Sequence, residues 1–290
     1  MKAWLFIFFA GFIAASLGLC TKYLTNRGVA AVICAAVPFA LSAAIATALH
    51  PRNVRTPWRE GLAMGAVNAG VPAMLFNVGY SQLPASLVTL TLALAPIFTA
   101  ITAHFAFRDD RFTAAKLAGL ALSFGGVVFL AGLPAGSGSR STLAFFTTIA
   151  GAAVAGASLV WVRRMATRHE PTTVLAPMQI GAAAVTVIAA SFLGHPVWSP
   201  GADTVELGLL GVMGVGTILT FLCSLKASEL APASKVGLMG YLVPLVGVGG
   251  GVLIFNETLT SNLLLGGLLI LAGVTLVGRA NRSVTVGSPV

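Results

Sequence analysis

The sequence contains few charged residues: Asp, Glu, Lys and Arg make up 9% of its 290 residues, whereas 57% are hydrophobic. Its mean hydropathy is +0.94, and all eight acidic residues lie at or near the edge of an apolar run. A soluble domain has no use for so much apolar surface, whereas each membrane-spanning helix needs about 20 mostly apolar residues. The composition therefore excludes an ordinary soluble domain and predicts an all-α membrane protein.

Residues with catalytic or metal-binding chemistry are also scarce. The three cysteines, Cys20, Cys34 and Cys223, lie in apolar runs without CxxC spacing, so we interpret them as packing residues and regard a Cys20–Cys34 disulfide as the less favoured alternative. The four histidines lack metal-ligand spacing, and HExxH, GxSxG and P-loop motifs are missing. We expect no enzyme activity, no cofactor and no metal.

The net charge of +9 does not indicate nucleic acid, because the basic residues are scattered among many short loops. These loops separate ten apolar runs, which we predict to be ten transmembrane helices: 4–21, 28–49, 58–80, 84–107, 113–132, 142–162, 172–193, 204–226, 231–255 and 261–278. The first run resembles a signal peptide, but Leu19 before Cys20 fits a cleavage site poorly, and we favour an uncleaved helix.

The distribution of positive charge predicts the orientation of the chain. If the N-terminus is cytoplasmic and the helices alternate, 14 Lys and Arg residues face the cytoplasm and three face outward, namely Lys22, Arg27 and Arg140. Cytoplasmic loops are enriched in Lys and Arg, so this bias supports the count of ten. We therefore predict that both termini are cytoplasmic and that the protein is a multi-pass protein of the cytoplasmic (inner) membrane.

The chain contains a weak internal repeat. Residues 81–131 match residues 229–279 at 12 of 51 positions without gaps, where a composition so biased would give roughly five by chance. Five helices per half is an odd number, so the second half enters the membrane upside down. We predict two inverted five-helix repeats, 1–135 and 142–280, followed by a cytoplasmic tail, 281–290.

Each repeat carries the pattern PAS…P…F-x-acid…G. The copies read PAS at 84–86, Pro96 and FRDDRFTAAKLAG at 107–119, then PAS at 232–234, Pro244 and FNETLTSNLLLGG at 255–267. Over residues 4–278 the chain resembles the EamA-type branch of the drug/metabolite transporter superfamily. The acidic residue is usually Glu in such families, so Glu257 fits and Asp109 departs. The resemblance implies a metabolite carrier, and the aromatic amino-acid exporters are the most similar branch.

Two prolines and several polar or aromatic residues are candidates for the transport site. Pro96 and Pro244 fall near the midplane of their runs, where they predict a hinge or a kink that lines the site, the alternative being a fixed kink. The glycines of the ninth helix predict close packing, and in its outer half they could also form a gate. The predicted substrate-binding residues are Asn68, Phe76, Asn77, Tyr80, Ser158, Trp161, Gln179, Lys235 and Tyr241.

Alternative interpretations remain open for these residues. Each polar side chain could serve an interhelical hydrogen bond, and Lys235 could extend its ammonium group to the membrane surface. On an unkinked helix, Asn68 and Asn77 would point in opposite directions, although Pro72 between them could alter this. No acidic residue lies in the middle third of any predicted helix, so we expect transport without a carboxylate proton relay.

The inverted repeat thus predicts a secondary transporter that works by alternating access around a midplane cavity. The family resemblance implies that it exports small metabolites, chiefly aromatic or other neutral amino acids. The alternatives are an exporter of other metabolites or drugs and a non-transporting membrane scaffold. The expected partners are a small-molecule substrate and the lipid bilayer, without nucleic acid, and the chain is expected to be a monomer.

Overall fold

The computed structural model describes residues 2–50, 56–106, 113–131, 139–166, 168–193, 203–230 and 239–285. The described residues are helical, with no β-strand among them, which confirms the all-α prediction. The helices are α1 (Lys2–Asn26), α2 (Ile33–Ala48), α3 (Trp58–Gly65), a π-helical turn (Ala66–Gly70), α4 (Val71–Gln82), α5 (Ala85–Leu92), α6 (Ala95–Ala106), α7 (Ala114–Ala131), α8 (Ser139–Ala166), α9 (Pro171–Phe192), α10 (Thr204–Leu230), α11 (Met239–Phe255) and α12 (Ser261–Thr285).

Each of the ten apolar runs falls on helix, although two runs are divided into shorter elements. Seven helical stretches in the described part of the chain are long and apolar enough to cross a membrane; three more, 33–48, 114–130 and 242–255, are apolar but shorter. The last helix continues to Thr285, so it includes the first residues of the segment predicted as a tail.

The third run bends through a π-helical turn. Ala66–Gly70 separates α3 from α4, and Pro72 follows at the second position of α4. Proline has no N–H to donate to the preceding turn, and such π-turns often occur at functional positions. Asn68 lies within this turn, so the straight-helix geometry that opposes Asn68 to Asn77 does not apply here.

The fourth run is broken where the sequence predicts a kink. α5 ends at Leu92 and α6 begins at Ala95, so Pro96 is the second residue of a new helix. The amide of Ile97 donates to the carbonyl of Leu94 at 2.9 Å, which closes a tight turn at the break. Pro244, by contrast, lies inside the continuous helix α11. The matched prolines therefore have different local structures, and whether either acts as a hinge remains a prediction.

α5 is the most enclosed helix that the structure describes. All of its residues from Ala85 to Thr91 are buried, and they join a core cluster that also draws on α1, α4, α6, α7, α8 and α12. A helix that is apolar on every face is stable only when neighbours surround it. The core thus places the N-terminus of α5, with its PAS sequence, at the junction between the two halves of the chain.

The other helices pack in pairs across the two halves. α1 contacts α10 and α11, whereas α8 contacts α4 and α6; likewise α2 contacts α10, whereas α9 contacts α3. α2 also packs against α9, and α7 against α12. The α7–α12 approach is close because a Cβ at Gly126 would lie 2.6 Å from the carbonyl oxygen of Gly266.

Candidate functional site

Glu257 joins the second half of the chain to the first at the N-terminus of α5. Its carboxylate accepts hydrogen bonds from the amide of Ala85 at 2.5 Å, the amide of Ser86 at 3.0 Å and the hydroxyl of Ser86 at 2.6 Å. We call these three bonds the Glu257 cap. The first amides of a helix lack internal partners, and a negative charge there stabilises a helix by about 0.3–2 kcal/mol.

The end of α11 explains why Glu257 reaches α5. Asn256 follows the helix with φ 53°, a left-handed conformation that asparagine tolerates better than most residues. The amide of Glu257 then donates back to the carbonyl of Gly251 at 3.1 Å, which turns the chain toward α5. A Cβ at Gly251 would collide with the carboxylate of Glu257, so this position requires glycine.

Other polar groups approach the cap from the first half of the chain. Lys22 of α1 and Tyr80 of α4 are close enough to Glu257 to interact with its charge. A cavity of about 400 Å³ lies beside the cap, and Ser86, Leu87, Asn256 and Glu257 are among its lining residues. The cap and the first turn of α5 therefore form part of the wall of this cavity.

Below the cap, α5 and α11 meet along a seam of small residues. A Cβ on Gly247 would clash with the side chain of Thr89, and a Cβ on Gly251 would lie 3.3 Å from the amide nitrogen of Ser86. Gly250 lies in the same way against Leu19 of α1. The glycines of the predicted ninth helix are thus close-contact positions, as their packing interpretation requires.

Two predicted site residues, Asn68 and Ser158, lie together between α8 and the π-helical turn. The amide nitrogen of Asn68 donates to the hydroxyl oxygen of Ser158 at 2.8 Å. Asn77 turns elsewhere, because its amide nitrogen donates to the carbonyl of Ala31 at 3.2 Å. The two asparagines therefore have separate partners: Asn68 bonds to a neighbouring helix, and Asn77 bonds to the segment between α1 and α2.

Gln179 of α9 is fully buried, and neither its amide oxygen nor its amide nitrogen has a hydrogen-bond partner among the described residues. Ser42 of α2 is also fully buried, and its hydroxyl has none. Ser42 and Gln179 lie on two helices, α2 and α9, that pack against each other. Leaving such a group unsatisfied costs about 1–3 kcal/mol, so this pair is a candidate for contact with a polar ligand.

The aromatic candidates lie in two places. Phe76 and Tyr80 belong to the core cluster around α5, whereas Trp161 packs beside Met64, Met165 and Met178. Lys235 lies outside the described residues, and Tyr241 is described only by its place on α11, one turn before Pro244. The structure does not bring the predicted residues into one cluster, and none of them lines the cavity beside the cap.

Two further features complete the site's surroundings. A second cavity, of about 650 Å³, is an apolar groove formed by α1, α2 and α10, and no predicted site residue lines it.

At the end of α1, the guanidinium of Arg27 pairs with Asp203 at 3.0 Å and Glu206 at 3.3 Å. Its hydrogen bond to Tyr23 and these two carboxylates raise the pKa of Arg27, which keeps it charged.

Metal binding has no support among the described residues, because no three His, Cys, Asp or Glu side chains there are grouped to hold an ion. The apolar helices and the polar contacts buried between them instead define a multi-pass helical membrane protein. The chain belongs to the EamA-like transporter family, whose model matches residues 1–132 and again residues 142–279.

Two named relatives are transporters by their names, and one solved structure has a similar fold. A probable terminal-alkyne amino-acid exporter of Streptantibioticus cattleyicolor is 28% identical over 256 residues, covering 82% of this chain and 80% of the relative. A probable amino-acid metabolite efflux pump of Salmonella typhimurium is 26% identical, covering 72% of each chain. A crystal structure with 22% identity covers 99% of both chains at a TM-score of 0.65, which supports the fold alone.

The sequence marked Glu257 as part of a family pattern but did not identify it as a site residue. Its contact with α5 joins positions 171 and 172 residues apart, a separation over which sequence spacing carries no information. A signal was available nevertheless. Glu257 lies two residues after Phe255 in the second repeat, and the PAS sequence begins α5 in the first repeat. The charge count assigns the loops that contain these two segments to the same, outer face, where they could meet.

Proposed function

We propose that this protein is a secondary carrier of the cytoplasmic membrane that exports small amphipathic metabolites, in particular aromatic or other neutral amino acids. The observation that carries the proposal is the EamA family match in both halves of the chain. Two relatives are named as a probable amino-acid exporter and a probable amino-acid metabolite efflux pump, which favours amino acids as the substrate class.

Alternating access between two inverted five-helix repeats is the proposed mechanism, with all ten apolar helices crossing the membrane. The helix pairing supports it, because α1 contacts α10 and α11 in the same way that α8 contacts α4 and α6. If each helix of the first half is exchanged for the corresponding helix of the second half, the same helix contacts result. Inverted halves of this kind can rock around one central site.

Contacts between loops support the proposed alternation of the spans. Arg27 pairs with Asp203 and Glu206, and Glu257 bonds to Ser86; every one of these residues lies in or beside a loop that the charge count places outside. Because residues on opposite sides of a bilayer cannot touch, these contacts fit the proposed alternation of ten spans.

The experiment is transport by purified protein in liposomes. We expect the protein to exchange radiolabelled phenylalanine or tryptophan across the membrane, and threonine more weakly, relative to empty liposomes. Asn68→Ala, Gln179→Leu and Tyr80→Ala should each lower the flux of a folded protein. Absence of flux for all three amino acids would reject the substrate class, and unchanged flux in all three variants would reject the site.

A further inference from the structure

We infer that the Glu257 cap closes the passage between the two halves at the outer face, and that each transport cycle must break and re-form it. The inference deepens the proposed function and rests on it for the direction of transport. It concerns a residue that positions the halves and that need not touch the substrate.

The cap is placed where a closing contact has to be. Glu257 belongs to the second half, and its three bonds all end on Ala85 and Ser86 in the first half. Ser86 and Leu87 are each only 1% exposed, although both lie against the cavity beside the cap. Withdrawing Glu257 would therefore widen the cavity along the first turn of α5 and expose residues that are now buried there.

The seam under the cap is suited to separation. Gly247 and Gly251 have no side chain at the points where α11 meets Thr89 and Ser86, so α11 contributes only backbone to the contact at these two positions. Flat contacts between small residues can part without forcing side chains into new rotamers. Polar bonds at the end of such a seam then largely determine whether it stays closed.

The carboxylate is matched to three donors at once. A glutamine at this position would keep one acceptor oxygen but replace the other with an N–H₂ donor, which cannot accept from Ser86. An aspartate would keep the charge on a side chain one methylene shorter. We therefore expect Glu257→Gln to break most of the cap and Glu257→Asp to retain part of it.

The test measures access to α5 and needs no substrate. In a variant with Cys20, Cys34 and Cys223 replaced by alanine, Leu87→Cys serves as a reporter for a membrane-impermeant thiol reagent applied to right-side-out vesicles. We expect labelling to be at least tenfold faster with Glu257→Gln than without it, and intermediate with Ser86→Ala. Glu60→Gln, an exposed acidic residue at the start of α3, should leave the rate unchanged.

Two further measurements keep the result decisive. Thr89→Cys, buried under Gly247, provides a second reporter if Leu87→Cys fails to fold, and Glu257→Asp should restore slow labelling if the charge acts through the cap. Equal labelling rates for the parent and Glu257→Gln at a folded reporter would overturn the inference. Labelling from the cytoplasmic side alone would instead reject the proposed orientation.

The requirement for opening is tested by locking the cap. Ser86→Cys combined with Glu257→Cys, joined by a short reducible thiol cross-linker, should stop amino-acid flux in liposomes, and a reductant should restore it. Flux that persists in the fully cross-linked protein would overturn the inference. If the uncross-linked protein carries no amino acid at all, the proposed substrate fails, while the labelling result on the cap stands.

Discussion

At the scale of single residues, Gln179 shows a conflict between stability and the predicted role in binding. Its amide is buried without a partner, and replacing such a group by an apolar side chain of similar size removes a cost of about 1–3 kcal/mol. We expect Gln179→Leu to raise the thermal unfolding temperature by a few degrees and to lower amino-acid flux. Thermal unfolding in detergent and liposome flux measure the two effects.

The matched control lies two turns away on the same helix. Thr186 is also fully buried, but its hydroxyl donates to the carbonyl of Ala182 at 2.9 Å. Thr186→Val should therefore give no stabilisation and leave flux intact. A Gln179→Leu variant that is less stable than the parent would show that Gln179 has a structural partner and would remove it from the candidate site.

The Asn68–Ser158 bond is a second residue-scale case. Polar pairs between membrane helices couple by about 0.6 kcal/mol on average and seldom exceed 1.7 kcal/mol. A double-mutant cycle of Asn68→Ala and Ser158→Ala, followed by equilibrium unfolding, should give a coupling energy in that range, because the amide donates directly to the hydroxyl at 2.8 Å. Strict additivity would mean that this bond makes no contribution in the membrane.

At the scale of helices, adjacent glycines on α7 make a sharp comparison. A Cβ at Gly126 would meet the carbonyl oxygen of Gly266 at 2.6 Å, whereas one at Gly125 meets nothing within 4 Å. We expect Gly126→Ala to destabilise the protein by about 1–3 kcal/mol and Gly125→Ala to leave it unchanged or slightly more stable. Unfolding measurements in which the two variants behave alike would contradict this packing.

The helices also show which features of the fold could be predicted from the sequence. Apolar run length predicted where all ten helical segments lie, because lipid and buried protein both favour continuous apolar residues. It did not predict the break at Ala93–Leu94 or the π-helical turn at Ala66–Gly70. Proline marks a disturbed hydrogen-bond ladder, but neighbouring helices decide whether it kinks, breaks or leaves the helix continuous, as Pro96 and Pro244 demonstrate.

At the scale of the whole molecule, the position of acidic residues predicts how transport is driven. The fold places Glu257 at a helix end and leaves Glu60 and Glu206 in the first turns of their helices. Without a carboxylate in the middle of a span, a proton relay has no titratable group there. We expect liposome flux to follow the amino-acid gradient alone, with the same rate when the pH on the two sides is equal.

A requirement for a pH gradient would contradict that expectation.

The sequence alone could support the expectation about how transport is driven, because the position of each acidic residue within an apolar run can be read directly from the sequence. It could not assemble the cap, since Glu257 and Ser86 become neighbours only when helices from different halves pack together. The burial of Gln179 likewise requires the packing of the helices around α9. The family pattern located both ends of the cap in the sequence, while their contact required the fold.

The enclosure of α5 has a consequence for biosynthesis. Its core cluster includes Leu263, Ile270 and Val274 of α12, which is synthesised after every other helix that the structure describes. During translation the early helices therefore remain beside an unfilled space until α12 has been made. We expect a chain that stops after residue 138 to be degraded when expressed alone, and to be rescued when residues 139–290 are produced in the same cell. Immunoblotting of membranes would reveal the difference, and equal survival of the lone fragment would show that the early helices need no late partner.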